Sequence, residues 1–194
     1  MDNYLIELDQ KKWKPLTRTQ QKLKTAILEL YAKEGLEKIN VRELCSRACV
    51  ARTSFYNYYD NTTQLMEELE DRLLSDMRRN AAPVTHEEFA TEESISLLQG
   101  YLDFIRQNED IFRIFLVTRP NYRFIQKWER STIEHLDRRL KNSNTAIHNR
   151  ELALQLSASS TVTAFTYGLQ HPEKVDDKSL RNLVVRYFRF LESL

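Results

Sequence analysis

NVRELCSRACVARTSFYNYYDNTTQL, residues 40–65, decides the fold: it reads as two short helices, a tight turn and the start of another helix. Asn40 stands where it can cap the first of them, and Glu43, three residues on, can reach back in a capping box. Val41, Leu44, Cys45 and Ala48 then share one helical face, so this helix buries one side. From Ala51 to Tyr59 the pattern changes. Val50, Phe55 and Tyr59 turn inward, which leaves Arg52, Thr53, Ser54, Tyr56, Asn57 and Tyr58 outward. Two short helices joined by a few residues, the second presenting aromatic and hydrogen-bonding groups to water, make a helix-turn-helix.

The surroundings of this stretch are basic. Residues 11–59 hold eleven Lys and Arg against four acids, a local net charge of +7, while the whole chain carries +1, so the remainder carries −6. A polyanion-binding head on an acidic body gives that asymmetry; a solvated charged face is the bland alternative. The 194 residues are enough for one sizeable core, or for a small domain docked on a larger one. Only 3 Gly and 4 Pro, with 29% charged residues, fit an almost wholly helical protein. The first ten residues lack the basic start and apolar core of a signal peptide. No apolar run approaches the ~20 residues of a membrane helix, so the expected location is cytoplasmic, with no membrane partner.

Cys45 lies on the core-facing side of its helix, where it serves as a small hydrophobe; a redox pair with Cys49 is the alternative. With no His or third Cys close by, neither a metal nor a cofactor is expected. The chain contains no Gly-rich phosphate loop, no GxSxG and no HExxH, and His86, His135, His148 and His171 are dispersed. An enzyme reading therefore has nothing specific to stand on.

Along the chain, residues 1–16 have no periodicity and form an arm, whose Lys11, Lys12 and Lys14 either brush DNA or fray. A first helix begins near Thr17 with Leu23, Ile27, Leu30 and Tyr31 inward, and Gly35 ends it in the left-handed C′ position. Asn61 caps a long fourth helix to about Asn80, with Leu65, Leu69, Leu73 and Met77 at spacings of four. Residues 81–90 are a break. Thr91 caps a fifth helix to Asn108, Asn108 a short sixth ending before Pro120, and a seventh follows from Tyr122 to about Lys141. Helices eight (about Ala146 to Gly168) and nine (Asp176 to Leu194) complete an all-α chain of nine helices, without strands or repeats.

Residues 17–65 resemble the DNA-binding domain of the TetR family of bacterial transcriptional regulators. The residues that match are Ile27, Leu30, Tyr31 and Gly35, then Val41, Arg42, Leu44 and Ala48, then Val50, Ser54, Phe55, Tyr56, Tyr59 and Leu65. Cys49 stands where the family usually has Gly in the turn, and Thr62 where it usually has a phosphate-touching Lys. The resemblance implies an arm (1–16), a three-helix DNA-binding domain (17–60) and a C-terminal helical domain for ligand binding and dimerisation (61–194).

The function it implies is sequence-specific recognition of double-stranded DNA, at a palindromic operator, by a repressor that a small hydrophobic inducer releases. A constitutive or protein-controlled regulator with no inducer is the alternative. Arg52 is the first candidate for base reading, since a guanidinium bonds guanine O6 and N7 together. Arg42 matches a base-reaching family position, Thr53, Ser54, Asn57 and Tyr58 offer contacts to base edges, Tyr56 matches the family's phosphate-holding tyrosine, and Thr62 offers a neutral bond from its hydroxyl or its backbone amide in place of lysine. In the C-terminal region Phe104, Phe112, Phe115, Tyr122 and Trp128 either line a ligand pocket or form plain core. A homodimer is expected on helices eight and nine. Small Ser157, Thr161 and Ala164 would admit a neighbouring helix. Leu180, Leu183, Val184, Tyr187, Phe188 and Leu191 make one inward stripe of helix nine, and Val185, Phe190 and Leu194 add apolar surface beyond what one buried side requires, so Val184, Val185, Phe188 and Phe190 are expected at the contact.

Overall fold

The computed structural model describes residues 11–80, 92–142 and 149–192, and their side chains except those of 80, 92–98, 139–142 and 188–192. These residues form nine α-helices and no strand: α1 Arg18–Glu34, α2 Val41–Ala48, α3 Arg52–Tyr56, α4 Thr62–Asn80, α5 Glu92–Gln107, α6 Glu109–Arg113, α7 Tyr122–Asn142, α8 Arg150–Gln170 and α9 Asp177–Glu192. A 3₁₀ turn, Leu36–Lys38, joins α1 to the α2 cap, and α6 runs on into a π-helical turn, Ile114–Thr118. The chain divides into two compact units, and the boundary falls inside α4, between Ser75 and Asp76.

In the first unit the expected caps form, with changes of detail. Thr17 and Gln20 make a reciprocal capping box at the start of α1. The Asn40 carboxamide accepts from the Glu43 amide at 2.9 Å, and Asn61 does the same for Gln64 at 2.9 Å. Glu43 does not return the bond. Gly35 lies at φ 84°, ψ 160°. That is not the left-handed helical basin but an extended positive-φ region open in practice to glycine alone, because the chain must straighten into the 3₁₀ turn. Leu23, Ile27, Leu44, Phe55, Leu65 and Met66 are completely buried and make the core of this unit.

The second unit is organised around rings. Phe112 meets Phe104, Phe124 and Trp128 with centroids 5.8–6.2 Å apart, Phe115 meets Phe124 at 5.2 Å, and Trp128 meets Phe165 at 5.7 Å. Asn121 and Asp176 supply N-terminal caps for α7 and α9 through Phe124 N–H and Ser179 N–H. Asn108 does not cap α6: its amide group donates to the Phe104 carbonyl at 2.9 Å and closes α5 instead. Gly168 lets α9 close on α8, since a Cβ there would stand 3.0 Å from Leu180 Cδ2. The expected Thr91 cap, the start of helix eight at 146–148 and the last two residues of helix nine lie outside the described residues.

Candidate nucleic-acid interface

α2 ends at a turn made by an L-residue in an unusual place. Cys49 has φ 51°, ψ 49°; its N–H donates to Ser46 O at 3.2 Å and Val50 N–H to Cys45 O at 3.0 Å, the bond pair of a Schellman ending. The reversal sets α3 across α2 and drives Phe55 wholly into the core. Tyr56 packs edge-on against Phe55, with centroids 5.4 Å apart, so its ring is braced while the residue stays 57% exposed. α3 itself is only Arg52–Tyr56, shorter than the pattern to Tyr59 implies, because Asn57 and Tyr58 turn to bring Tyr59 back into the core.

Of the eight residues expected to touch DNA, the structure leaves six open to solvent together: Arg42, Arg52, Thr53, Tyr56, Asn57 and Tyr58. Ser54 is half-buried. Thr62 keeps one of its two expected donors. Its hydroxyl leans toward the protein, 3.5 Å from the Ile39 carbonyl, so the group left for a phosphate is its backbone amide at the start of α4. The first turn of α4 holds no acid, although Asp60 stands just before it.

Sequence reasoning missed what holds this face from behind. Tyr59, 3% exposed, accepts a bond from Gln20 Nε2 at 3.1 Å and lies 3.5 Å from Glu68 Oε1. Burial pushes its phenol above the ordinary tyrosine range. Glu68 is held in turn by Arg72 Nε at 2.7 Å. Arg72 lies 4.4 Å over the Trp13 ring and donates to the Lys14 carbonyl at 3.0 Å, and Lys11 sits 4.1 Å from the same ring. Residues 11–16 are therefore clasped on α4, not free. The signal was present in the sequence as a lone Trp among lysines, but its partner lies fifty-eight positions away from Lys14.

Cys45 is buried, and that burial raises its thiol above the usual range, as a core hydrophobe requires; Cys49 is exposed. Among the described residues no group of three or more His, Cys, Asp or Glu side chains is placed to hold a metal, and no helix is long and apolar enough to cross a membrane.

The remaining candidates lie in the second unit. Phe104, Phe112, Phe115 and Trp128 belong to the ring cluster and are packed against one another or their neighbours. Tyr122 is 75% exposed and does not join them, because α7 begins with it and turns Phe124 inward. Of the residues expected at a dimer contact, Ser157, Thr161, Val184 and Val185 are buried within the chain's own fold and Ala164 is half-buried. The reason is that α9 packs on both α8 and α5, so its buried arc is wider than a single stripe and takes in Val185, while Leu183, expected inward, is 62% exposed. Ser157 and Thr161 return their hydroxyls to carbonyls one turn back, Ala153 and Ser157, which makes their burial inexpensive. The side chains of Phe188 and Phe190 lie outside the described residues.

Residues 24–69 match the family model for bacterial regulatory proteins of the tetR family. A search of curated protein sequences gave no match. Solved structures similar to the chain include a putative TetR-family regulator from Syntrophomonas wolfei (TM-score 0.66, 14% identity, 91% of this chain and 95% of that one). Another is a putative regulator of the same family from Shewanella sp. PV-4 (TM-score 0.66, 18% identity, 92% and 97%). A third is a TetR regulator from Streptococcus agalactiae (TM-score 0.65, 20% identity, 87% and 92%). The matched segment spans the helix-turn-helix and its supporting helices, and the described residues share the all-helical fold of these solved TetR-family regulators.

Proposed function

We propose that the chain is a sequence-specific repressor that binds a palindromic operator as a homodimer through α3. The observation that carries this reading is the exposed cluster Arg52, Thr53, Tyr56, Asn57 and Tyr58, braced by the buried Phe55 and Tyr59. Arg52 reads guanine, Thr53, Asn57 and Tyr58 contact neighbouring base edges, and Tyr56 and the Thr62 amide fix the register on phosphates. Selection of bound duplexes from a random pool tests it: recovered sequences should share two inverted half-sites about one helical turn apart, or a multiple of it. A pool with no shared sequence would refute specific recognition.

Support for the dimer comes from a stripe on the second unit. Leu152 and Leu156 of α8 are 57% and 50% exposed, Tyr167 is 44% exposed, and Thr163 lies between them on the same face. Leu183 of α9 continues the apolar surface, and Ser160 and Tyr187, 3.3 Å apart, link the two helices. Two such faces related by a two-fold axis make a four-helix interface whose symmetry matches an inverted repeat.

Control by a hydrophobic ligand would act through the ring cluster, which a bound molecule would have to part. The close ring packing also favours the alternative, a regulator with no inducer, since four of the five proposed lining residues already have ring partners or full burial. A thermal-shift screen with hydrophobic compounds separates the two, because a ligand that binds only the native state raises its melting point.

A further inference from the structure

Beside the helix-turn-helix the first unit has an open groove of about 390 Å³. Arg18, Lys22, Thr25 and Glu29 of α1 wall one side, Arg47 at the end of α2 walls the other, and Ala26 and Ala48 form the floor. Glu29 is engaged by Arg47, with Nε and Nη2 each 2.7 Å from its Oε2. Arg18 and Lys22 are exposed and, among the described residues, no acid pairs with either. The two stand one helical turn apart, a like-charge spacing that costs stability unless an anion lies against it.

Apart from two alanines the residues that line the groove are all charged or polar, with no large apolar side chain to hold a hydrophobic partner, and the groove is open to solvent, which admits a polyanion. Ala48, on its lining, stands four residues before Arg52, the first residue of the helix expected to enter the major groove. We infer that Arg18 and Lys22 are further DNA contacts, holding the phosphodiester backbone that flanks the bases read by α3. The inference rests on the reading of α3 given above and extends the footprint to residues of α1.

The test is the salt dependence of binding, measured from about 50 to 200 mM salt with a duplex recovered by selection and with its scrambled counterpart. Each lost phosphate contact lowers the slope of log K against log salt by about 0.9. Because a bound dimer carries each residue twice, Arg18→Ala and Lys22→Ala should each lower it by about 1.8, and the double variant by about 3.6, equally for both duplexes and with the ranking of base substitutions unchanged. Circular dichroism and thermal melting confirm that the variants are folded. An unchanged slope in the folded double variant overturns the inference, and an acidic protein would then be the partner that fits the groove. A changed base ranking overturns it too, since the residues would be reading bases. If the unmodified protein binds no duplex, the functional reading itself falls. If it binds and only these slopes fail to move, the inference falls alone.

Discussion

Replacing Cys49 with glycine should make the protein more stable. The residue is exposed, so its side chain contributes little packing, and it sits at φ 51°, ψ 49° to form the two bonds that end α2. For a residue with a Cβ, the left-handed conformation costs about 1–2 kcal/mol. Glycine removes that cost but gives the unfolded chain more freedom, about 0.5–1 kcal/mol. The net gain therefore centres on about 0.75 kcal/mol, between extremes of about 0 and 1.5, and in a chain of this size the central value raises the melting temperature by about 1.5–3 °C. Urea unfolding followed by circular dichroism gives the free energy directly. Cys49→Ala is the necessary control: it removes the thiol and keeps the Cβ, so it should stay within about 0.5 kcal/mol of the parent. Cys49→Val should fall below both, because a β-branched residue tolerates positive φ least. If the glycine variant were no more stable than the alanine variant, the strain argument would be wrong.

Further outcomes are expected elsewhere. Arg52→Ala should relax base preference at one position per half-site and cost ~1–3 kcal/mol in a duplex-binding titration, whereas Tyr56→Phe should weaken all duplexes alike. Light scattering should give twice the 23.1 kDa chain mass, and Leu156→Glu or Leu183→Glu should reduce it to one chain while helicity is retained. Acceptance of the Ser179 amide holds the Asp176 carboxyl below the usual range. Its capping contribution is thus present above the unfolded pKa of about 3.9 and lost as pH falls through the folded value; Asp176→Asn should flatten that part of an acid-unfolding curve. Any compound found to release operator must itself bind more weakly when operator is present, by the same factor, as calorimetry on free and DNA-bound protein can measure.

Local chemistry made much of this molecule legible from the chain alone. Asn40, Asn61 and Asp176 are capping side chains whose partners lie three residues away, so sequence spacing suffices to find them. Phe55 and Tyr59 fall inward by simple periodicity. The failures share a different cause. A hydrophobic stripe says which residues are buried against one neighbour, but α9 has two, and this moves Val185 inward and Leu183 outward. Tyr122 looked like one more ring in an aromatic-rich region, yet at the first position of α7 it faces water. For Thr62 only the choice between its two donors was beyond the sequence: its hydroxyl found a carbonyl across the unit, a pairing twenty-three residues apart that no local pattern encodes, which leaves the backbone amide.

The Trp13 clasp has a spectroscopic consequence. The chain has two tryptophans, Trp13 in the first compact unit and Trp128 in the second. Their surroundings are opposites: Trp13 is half-exposed between two cations, whereas Trp128 is 3% exposed among phenylalanines. The first should emit at longer wavelength than the second. Single-tryptophan variants, Trp13→Phe and Trp128→Phe, would therefore turn one chain into two separate reporters. The loss of structure in each unit could then be followed on its own, and an event at the helix-turn-helix could be told apart by colour from one in the ring cluster.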